Sequence, residues 1–277
     1  MSVSDAEQAA LIEAVRTVAK AEITPRFRAL SSDEVDQKSG VEDLVTVADK
    51  RAEVAITAAV RDILPGTRVV GEEAVAVDAS LLSDVGKPGR TVIIDPIDGT
   101  WNFANGIATF GVILAVVEDG ETVMGLLYDP VWDDWVVARK GEGAWFSAPG
   151  KAPRRLRVST PSGDLEDAFG FIGLYLFDKP GQVLLCETMS RFRRTANLRC
   201  SCHEYRMIVD GKADFMLTGM LNSWDHAAGV LAFREAGGVA RLLDGPEYAP
   251  SMTHGRLLIA ATEELWAELA GLWAGLK

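Results

Sequence analysis

The run Asp95-Pro96-Ile97-Asp98-Gly99-Thr100-Trp101-Asn102-Phe103 constrains this chain more than any other, because two carboxylates three residues apart follow directly on a strand candidate. Thr91-Val92-Ile93-Ile94 is β-branched and apolar, as in a buried strand. Asp95 is therefore expected at a strand end. Pro96 lacks the N–H that a sheet ladder needs, and Gly99 tolerates backbone conformations closed to other residues, so the chain is expected to turn here. Such a turn aims Asp95, the Ile97 carbonyl and Asp98 at one point, an oxygen-only set of the kind Mg²⁺ prefers. Backbone N–H groups around Gly99 and Thr100, at an expected helix start, would face the same point and suit phosphate oxygens. An isolated Asp-x-x-Asp, by contrast, reads as an ordinary solvated turn.

The full string resembles the signature of the inositol monophosphatase family, within the Mg²⁺-dependent, lithium-sensitive sugar phosphatases that include fructose-1,6-bisphosphatases. Further pieces of that pattern follow in the family's order: Lys38 and Asp43-Leu44-Val45-Thr46-Val47-Ala48-Asp49, then Gly71-Glu72-Glu73, and after the central run Trp224-Asp225-His226-Ala227-Ala228-Gly229. The resemblance spans most of the chain. It implies an α/β fold, a layered αβαβα sandwich with an α+β N-terminal half (residues 1–148) and an α/β C-terminal half (149–277). Glu72, Asp95, the Ile97 carbonyl, Asp98 and Asp225 are implied metal ligands, for two or three Mg²⁺ ions. Asp49 and Thr100, with Glu72, are the implied catalytic residues, Asp49 and Thr100 orienting and activating the attacking water. Asp98, Gly99, Thr100, Arg199, Ser201, Thr218 and Asp225 are the implied substrate-binding positions. Lys38 and Asp43 are read either as organising a loop beside a third ion or as a surface ion pair.

Charge agrees with a metal-assisted reading. A net charge of -12 with no compensating basic run argues against nucleic acid or an anionic membrane as partner. It suits a small phosphorylated substrate only if cations reverse the local sign. No N-terminal apolar stretch resembles a signal peptide and no apolar run approaches membrane-spanning length, so a cytoplasmic protein is expected. Cys186, Cys200 and Cys202 make no disulfide framework, and Cys200-x-Cys202 is tighter than zinc-ligand spacing; they read as structural thiols. Neither a Gly-x-Ser-x-Gly elbow nor a Walker loop is present.

Ser4-x-x-Glu7 fits a capping box opening a helix whose Leu11, Ile12, Val15 and Val18 form an apolar stripe. A second helix is predicted from Thr46 to Ile63, stopped by Pro65-Gly66, with Val69-Val70 a strand delivering Glu72. Gly111–Glu118 and Thr122–Tyr128 read as strands joined at Asp119-Gly120, and another strand pair brackets 140–143. The stretch from Ser147 to Pro153 is the expected boundary between the halves. Beyond it, Phe169–Ile172, Arg193–Ala196, Ala213–Leu217, Val239–Leu242 and Leu257–Ala260 are strand candidates, with helices over Trp224–Ala236 and from Thr262.

Departures from the family pattern fall on the substrate side. Arg199 stands where inositol phosphatases usually have glycine, and Thr218 where the animal enzymes have a glutamate that binds inositol hydroxyls. Arg199 is read as binding a second phosphate or carboxylate, or as stacking on Tyr205 or pairing with Glu204. The leading expectation is Mg²⁺-dependent hydrolysis of inositol monophosphate, with wider sugar or polyol phosphate scope. The alternatives are a histidinol-phosphate phosphatase, a nucleotide 3′-phosphatase or fructose-1,6-bisphosphatase, and a catalytically idle metal- or phosphate-binding module. A homodimer is implied by the resemblance alone, with Trp132 and Trp135 as interface candidates.

Overall fold

The computed structural model describes residues 3–40 and 43–276. In chain order the elements are α1 (Asp5–Val18), β1 (Val35–Gly40), β2 (Asp43–Thr46), α2 (Val47–Ile63), β3 (Arg68–Gly71), α3 (Glu72–Val77), β4 (Arg90–Asp98), α4 (Thr100–Ala104), β5 (Gly111–Glu118), β6 (Glu121–Asp129), β7 (Asp134–Arg139), β8 (Gly143–Ser147) and β9 (Arg154–Arg155). Then come β10 (Phe169–Ile172), α5 (Lys179–Met189), β11 (Arg194–Ala196), α6 (Ser201–Val209), β12 (Phe215–Thr218), α7 (Ser223–Glu235), β13 (Val239–Leu242), β14 (Leu257–Ala260) and α8 (Glu263–Leu272).

Among the described residues β3 to β9 form one sheet in sequence order, antiparallel except for the β3–β4 pair. A second sheet has the order β11-β10-β12-β14-β13, with β10 parallel to β11 and β12. Alternation along the strands sorts the apolar side chains into layers. Ile94, Leu114 and Leu126 face α1 and α2, whose Leu11, Val15, Ala52 and Ile56 cover them. Ile93, Ile113 and Leu127 face the opposite way, onto α6 and α7, which also cover Met216 and Ile259 of the second sheet. The far side of that sheet, with Phe215, Leu217 and Leu258, is closed by α5 and α8 through Leu185, Leu269 and Trp273. The layer order is αβαβα.

Close approach of the middle helices depends on missing side chains. A Cβ on Gly125 of β6 would lie 2.6 Å from the Ala228 carbonyl oxygen, and one on Gly229 would lie 2.2 Å from the Tyr205 ring. Backbone therefore meets backbone where α7 crosses the sheet, and α7 is the helix that begins beside Asp225.

Three local expectations change. The strand does not end at Asp95: β4 continues to Asp98, with an irregularity between the Asp95–Ile113 and Asp98–Gly111 pairs. Three residues on β4 span two on β5, a bulge that accommodates Pro96 without a ladder N–H. The extra residue shifts the alternation, so Asp98 comes to the same side as Asp95. The turn follows at Gly99, whose φ is +85°. The helix after it is short, only Thr100–Ala104. Finally, α3, α5 and α6 were not anticipated, although Asp178 caps α5 and Pro180 lies in its first turn, an ordinary start signal.

Candidate active site

A cleft of about 730 Å³ opens beyond the C-terminal ends of β10, β11 and β12 and is bounded on its other side by the β4 bulge. Asp95 and Asp98 reach it from the bulge and Asp225 from the first turn of α7. One carboxylate oxygen of each lies within 4.8 Å of the others, so the three form a group able to hold a cation. Burial raises the pKa of Asp95 and Asp225 well above the ordinary range, and the neighbouring carboxylates add to it. Such a crowd of hard oxygen donors, unfavourable as free anions, fits a divalent metal.

Each carboxylate is held from a different element. Asp95 Oδ1 accepts from the Ile97 N–H at 3.1 Å. Asn222, at the N-cap of α7, makes no cap hydrogen bond and instead donates from Nδ2 to Asp225 Oδ2 at 3.0 Å. Asp98 Oδ2 accepts from the Cys202 backbone N–H and, at 3.0 Å, from the Cys200 thiol. Burial pushes Asp98 up to about 6 even against these donors. The two buried cysteines are thus structural thiols with a site role: the start of α6 anchors a carboxylate more than a hundred residues away in sequence. Gly99 makes room for this contact, since a Cβ there would lie 3.0 Å from the Thr109 carbonyl and 3.2 Å from Cys200 Cβ.

Asp49, fully buried, is the third residue of α2 and closes a capping box. Its Oδ2 accepts from the Thr46 N–H at 2.8 Å and hydroxyl at 2.5 Å. Capping leaves Oδ1 for Thr100, whose Oγ1 lies 3.2 Å from it and 2.9 Å from the Ile97 carbonyl. A hydroxyl has one proton, so Thr100 donates to one of these acceptors at a time. Burial pushes Asp49 up to about 7.

Glu72 lines the cleft at the start of α3 but stands outside the three-carboxylate group. Lys38 Nζ donates to Glu72 at 2.8 Å and to Glu73 at 2.6 Å. Burial opposes the ammonium charge, yet the two carboxylates outweigh it and raise the Lys38 pKa. Asp43 also lines the cleft, and Lys38 of β1 pairs with the acids at the start of α3. Glu73 is pushed up to about 7, mainly by burial.

The substrate-side positions are partly rearranged. Arg199 neither stacks on Tyr205 nor pairs with Glu204: its guanidinium carbon sits 4.2 Å from the Trp101 ring centroid. Its own φ of 53°, unusual without glycine, turns the side chain that way. The Tyr205 hydroxyl donates to His226 Nδ1 at 3.0 Å, because His226 Nε2 donates to the Met220 carbonyl. Glu204 Oε1 accepts from the Leu198 N–H at 2.7 Å. Ser201, Thr218 and Gly99 all line the cleft, with the Thr218 hydroxyl turned onto the Met220 backbone.

Two residues that position the site were missed. Glu53 accepts from the Glu73 and Ala74 N–H groups at 2.7 and 2.9 Å and so fixes the start of α3. Asn102 Nδ2 donates to the Thr109 and Leu198 carbonyls, both at 2.8 Å, tying the Gly99 turn to the Arg199 loop. Glu53 left a readable trace, since Asp49 and Glu53 are acids four apart on the helix face that also carries Ala52 and Ile56.

The family model described as the inositol monophosphatase family matches residues 5–274. The chain belongs to this family. It is 34% identical over 216 residues to the fructose-1,6-bisphosphatase/inositol-1-monophosphatase of Thermotoga maritima, covering 78% of this chain and 77% of that one. It is 30% identical to the inositol-1-monophosphatase of Caulobacter vibrioides, over 94% and 97% of the two chains. A solved structure of the Thermotoga maritima IMPase superposes with a TM-score of 0.78 at 27% identity, covering 95% of each chain. Among the described residues no helix is long and apolar enough to cross a membrane.

Glu204 gives this member a pH signature of its own. Burial pushes its carboxyl up to about 8, so the folded state holds a proton that the unfolded chain releases near its ordinary value. The stabilisation is complete below about pH 4 and is lost as pH rises through about 8. Glu204→Gln keeps an acceptor for the Leu198 N–H without the titration, so its melting temperature should fall less than the parent's between pH 5 and pH 9. Parallel falls in thermal melts would contradict this origin.

Proposed function

We propose that the chain is a Mg²⁺-dependent phosphomonoesterase, hydrolysing inositol monophosphate and with scope for other sugar and polyol phosphates. The observation that carries this reading is the Thr100 hydroxyl, held between Asp49 Oδ1 and the Ile97 carbonyl at the edge of the Asp95, Asp98 and Asp225 group. A site built only to bind cation and phosphate has no use for a buried acid–hydroxyl pair beside its carboxylates.

Asp95, Asp98, Asp225, Glu72 and the Ile97 carbonyl would hold two or three Mg²⁺ ions. When bound, Mg²⁺ supplies the charge that offsets substrate phosphate and leaving alkoxide, and it lowers the pKa of water in the site. Thr100 donates to Asp49 and accepts a hydrogen bond from the attacking water. As that water attacks phosphorus in line with the ester oxygen, its proton passes to Thr100 Oγ1 and the Thr100 proton moves to Asp49, while the P–O ester bond breaks and the departing alkoxide takes a proton from solvent water. Burial raises the affinity of the Asp49 carboxylate for that proton. The Gly99–Thr100 backbone, Ser201, Thr218 and Arg199 border the space left for the substrate, and Lys38 steadies Glu72. The halves 1–148 and 149–277 work as one catalytic unit, since Asp225 comes from the second, and we place the enzyme in the cytoplasm as a homodimer. Trp132, 76% exposed, is the better interface candidate, because Trp135 is half-buried under the Arg16 guanidinium.

Phosphate release from inositol 1-phosphate, histidinol phosphate, fructose 1,6-bisphosphate and adenosine 3′,5′-bisphosphate, with Mg²⁺ and with chelator, tests the reading. Mg²⁺-dependent turnover of inositol 1-phosphate is expected; no release from any ester would refute it. Thr100→Val should lower kcat by roughly 10²-fold, the scale of a lost proton-transfer group, while Thr100→Ser keeps most of it. Equal activities for the two variants would remove Thr100 from the mechanism.

A further inference from the structure

The wall of the cleft facing the carboxylates is apolar. Ile172, Leu174 and Leu176 line it from the end of β10 and the turn after it, and Met216, Leu217 and Met220 from β12 and its following loop. Three of the nine large apolar residues exposed among the described residues, Tyr175 (84%), Leu176 (43%) and Met220 (43%), lie at this one mouth. The two loops touch, for a Cβ on Gly219 would lie 2.6 Å from the Leu176 carbonyl oxygen. They form one continuous rim. Exposed apolar surface gathered at a cleft marks what the cleft receives.

Several polar groups on the same wall are engaged within the protein, while Thr195, Ser201 and Arg199 lie at its edges. The Thr218 hydroxyl is bonded to the Met220 backbone. Asn197 accepts from the Arg199 N–H at 2.8 Å and donates to the Ile172 carbonyl at 3.4 Å. Asn222 holds Asp225, and Glu204 holds the Leu198 N–H. A cyclitol entering here would bring a ring of hydroxyls to a surface with few side-chain partners for them, and a buried hydroxyl without a partner is unfavourable. An apolar body meets no such penalty and covers Leu176 and Met220.

We propose that, among the phosphomonoesters this site hydrolyses, it prefers those whose alcohol has an apolar, preferably aromatic, body long enough to reach the Leu176–Met220 rim. The inference rests on the phosphomonoesterase reading. The volume of the cleft, about 730 Å³, accommodates such a body beside the phosphate.

Three esters test it with Mg²⁺ present: inositol 1-phosphate, cyclohexyl phosphate, which is the same ring without its free hydroxyls, and 2-phenylethyl phosphate. The expected order of kcat/KM is 2-phenylethyl, then cyclohexyl, then inositol 1-phosphate, with roughly tenfold or more between the ends, as for modest changes of apolar contact. Cyclohexanol and 2-phenylethanol are both poorer leaving groups than inositol, whose neighbouring hydroxyls withdraw electrons, so intrinsic reactivity works against placing either ester above inositol 1-phosphate. Leu176→Gln and Met220→Gln should each raise KM for 2-phenylethyl phosphate several-fold with little change in kcat. Preference for inositol 1-phosphate over both other esters, or a KM for 2-phenylethyl phosphate unchanged in both variants, would overturn the proposal while leaving the phosphatase reading standing. Hydrolysis of none of the three would bring down both.

Discussion

Asp95→Asn is expected to reduce Mg²⁺-dependent phosphate release by roughly 10³-fold or more, the several kcal/mol that a correctly held cation contributes to a phosphoryl transition state. Asparagine retains an oxygen for the Ile97 N–H, so the bulge that Asp95 helps to hold survives the change. What disappears is one charge from a group in which Asp98 and Asp225 carry the others. Without cation that charge is a liability, because Asp95 is buried and its carboxyl is raised well above the ordinary range by burial and by Glu72, Asp98 and Asp225. The chelator-treated variant should therefore melt at or above the temperature of the chelator-treated parent, and the rise in melting temperature on adding Mg²⁺ should shrink. Melts of both proteins with Mg²⁺ and with chelator, run beside the activity assay, check both halves. A variant within tenfold of parental activity, or one destabilised only in chelator, would contradict the role given to Asp95.

Gly125→Ala should lower the melting temperature by about 3–5 °C. A Cβ at this position in β6 meets backbone, 2.6 Å from the Ala228 carbonyl oxygen and 2.8 Å from Ala228 Cα, so no side-chain rotation can relieve the clash. Overpacking of this kind costs about 2–3 kcal/mol, which for a chain of this size corresponds to that range of temperatures. Function should suffer too, because α7 moves as a unit and carries Asp225 in its first turn. A displacement of Asp225 by a fraction of an ångström should cost roughly tenfold in kcat, as mispositioned catalytic geometry does. Gly271→Ala in α8 is the control: nothing lies within 4 Å of its added Cβ, and alanine favours a helix by up to about 1 kcal/mol. A melting temperature for Gly125→Ala equal to that of the control would show that β6 and α7 can separate without loss.

The amino-acid sequence by itself determined those features whose causes are local. The Ser4–Glu7 and Thr46–Asp49 capping boxes start α1 and α2, and both are spelled within four residues. Nearly continuous apolar runs placed the β5 and β6 strands to within a residue, and Asp-Gly marked their turn. The run from Asp95 to Thr100 and its outlying partners were legible as a constellation because each piece has its own backbone chemistry. Only the tertiary structure decided how those pieces meet. The bulge that swings Asp98 beside Asp95 depends on pairing with Gly111 and Ile113, and the donors that hold Asp98 come from Cys200 and Cys202. Arg199 faced several aromatic and acidic neighbours in sequence, yet its guanidinium lies over Trp101, nearly a hundred residues away, because a positive φ turns it there. Leu176 and Met220 look in sequence like two more core residues. Whether an apolar side chain is buried or forms the rim of a cleft is set by what packs over it, and that is a property of contacts between distant segments rather than of any local pattern.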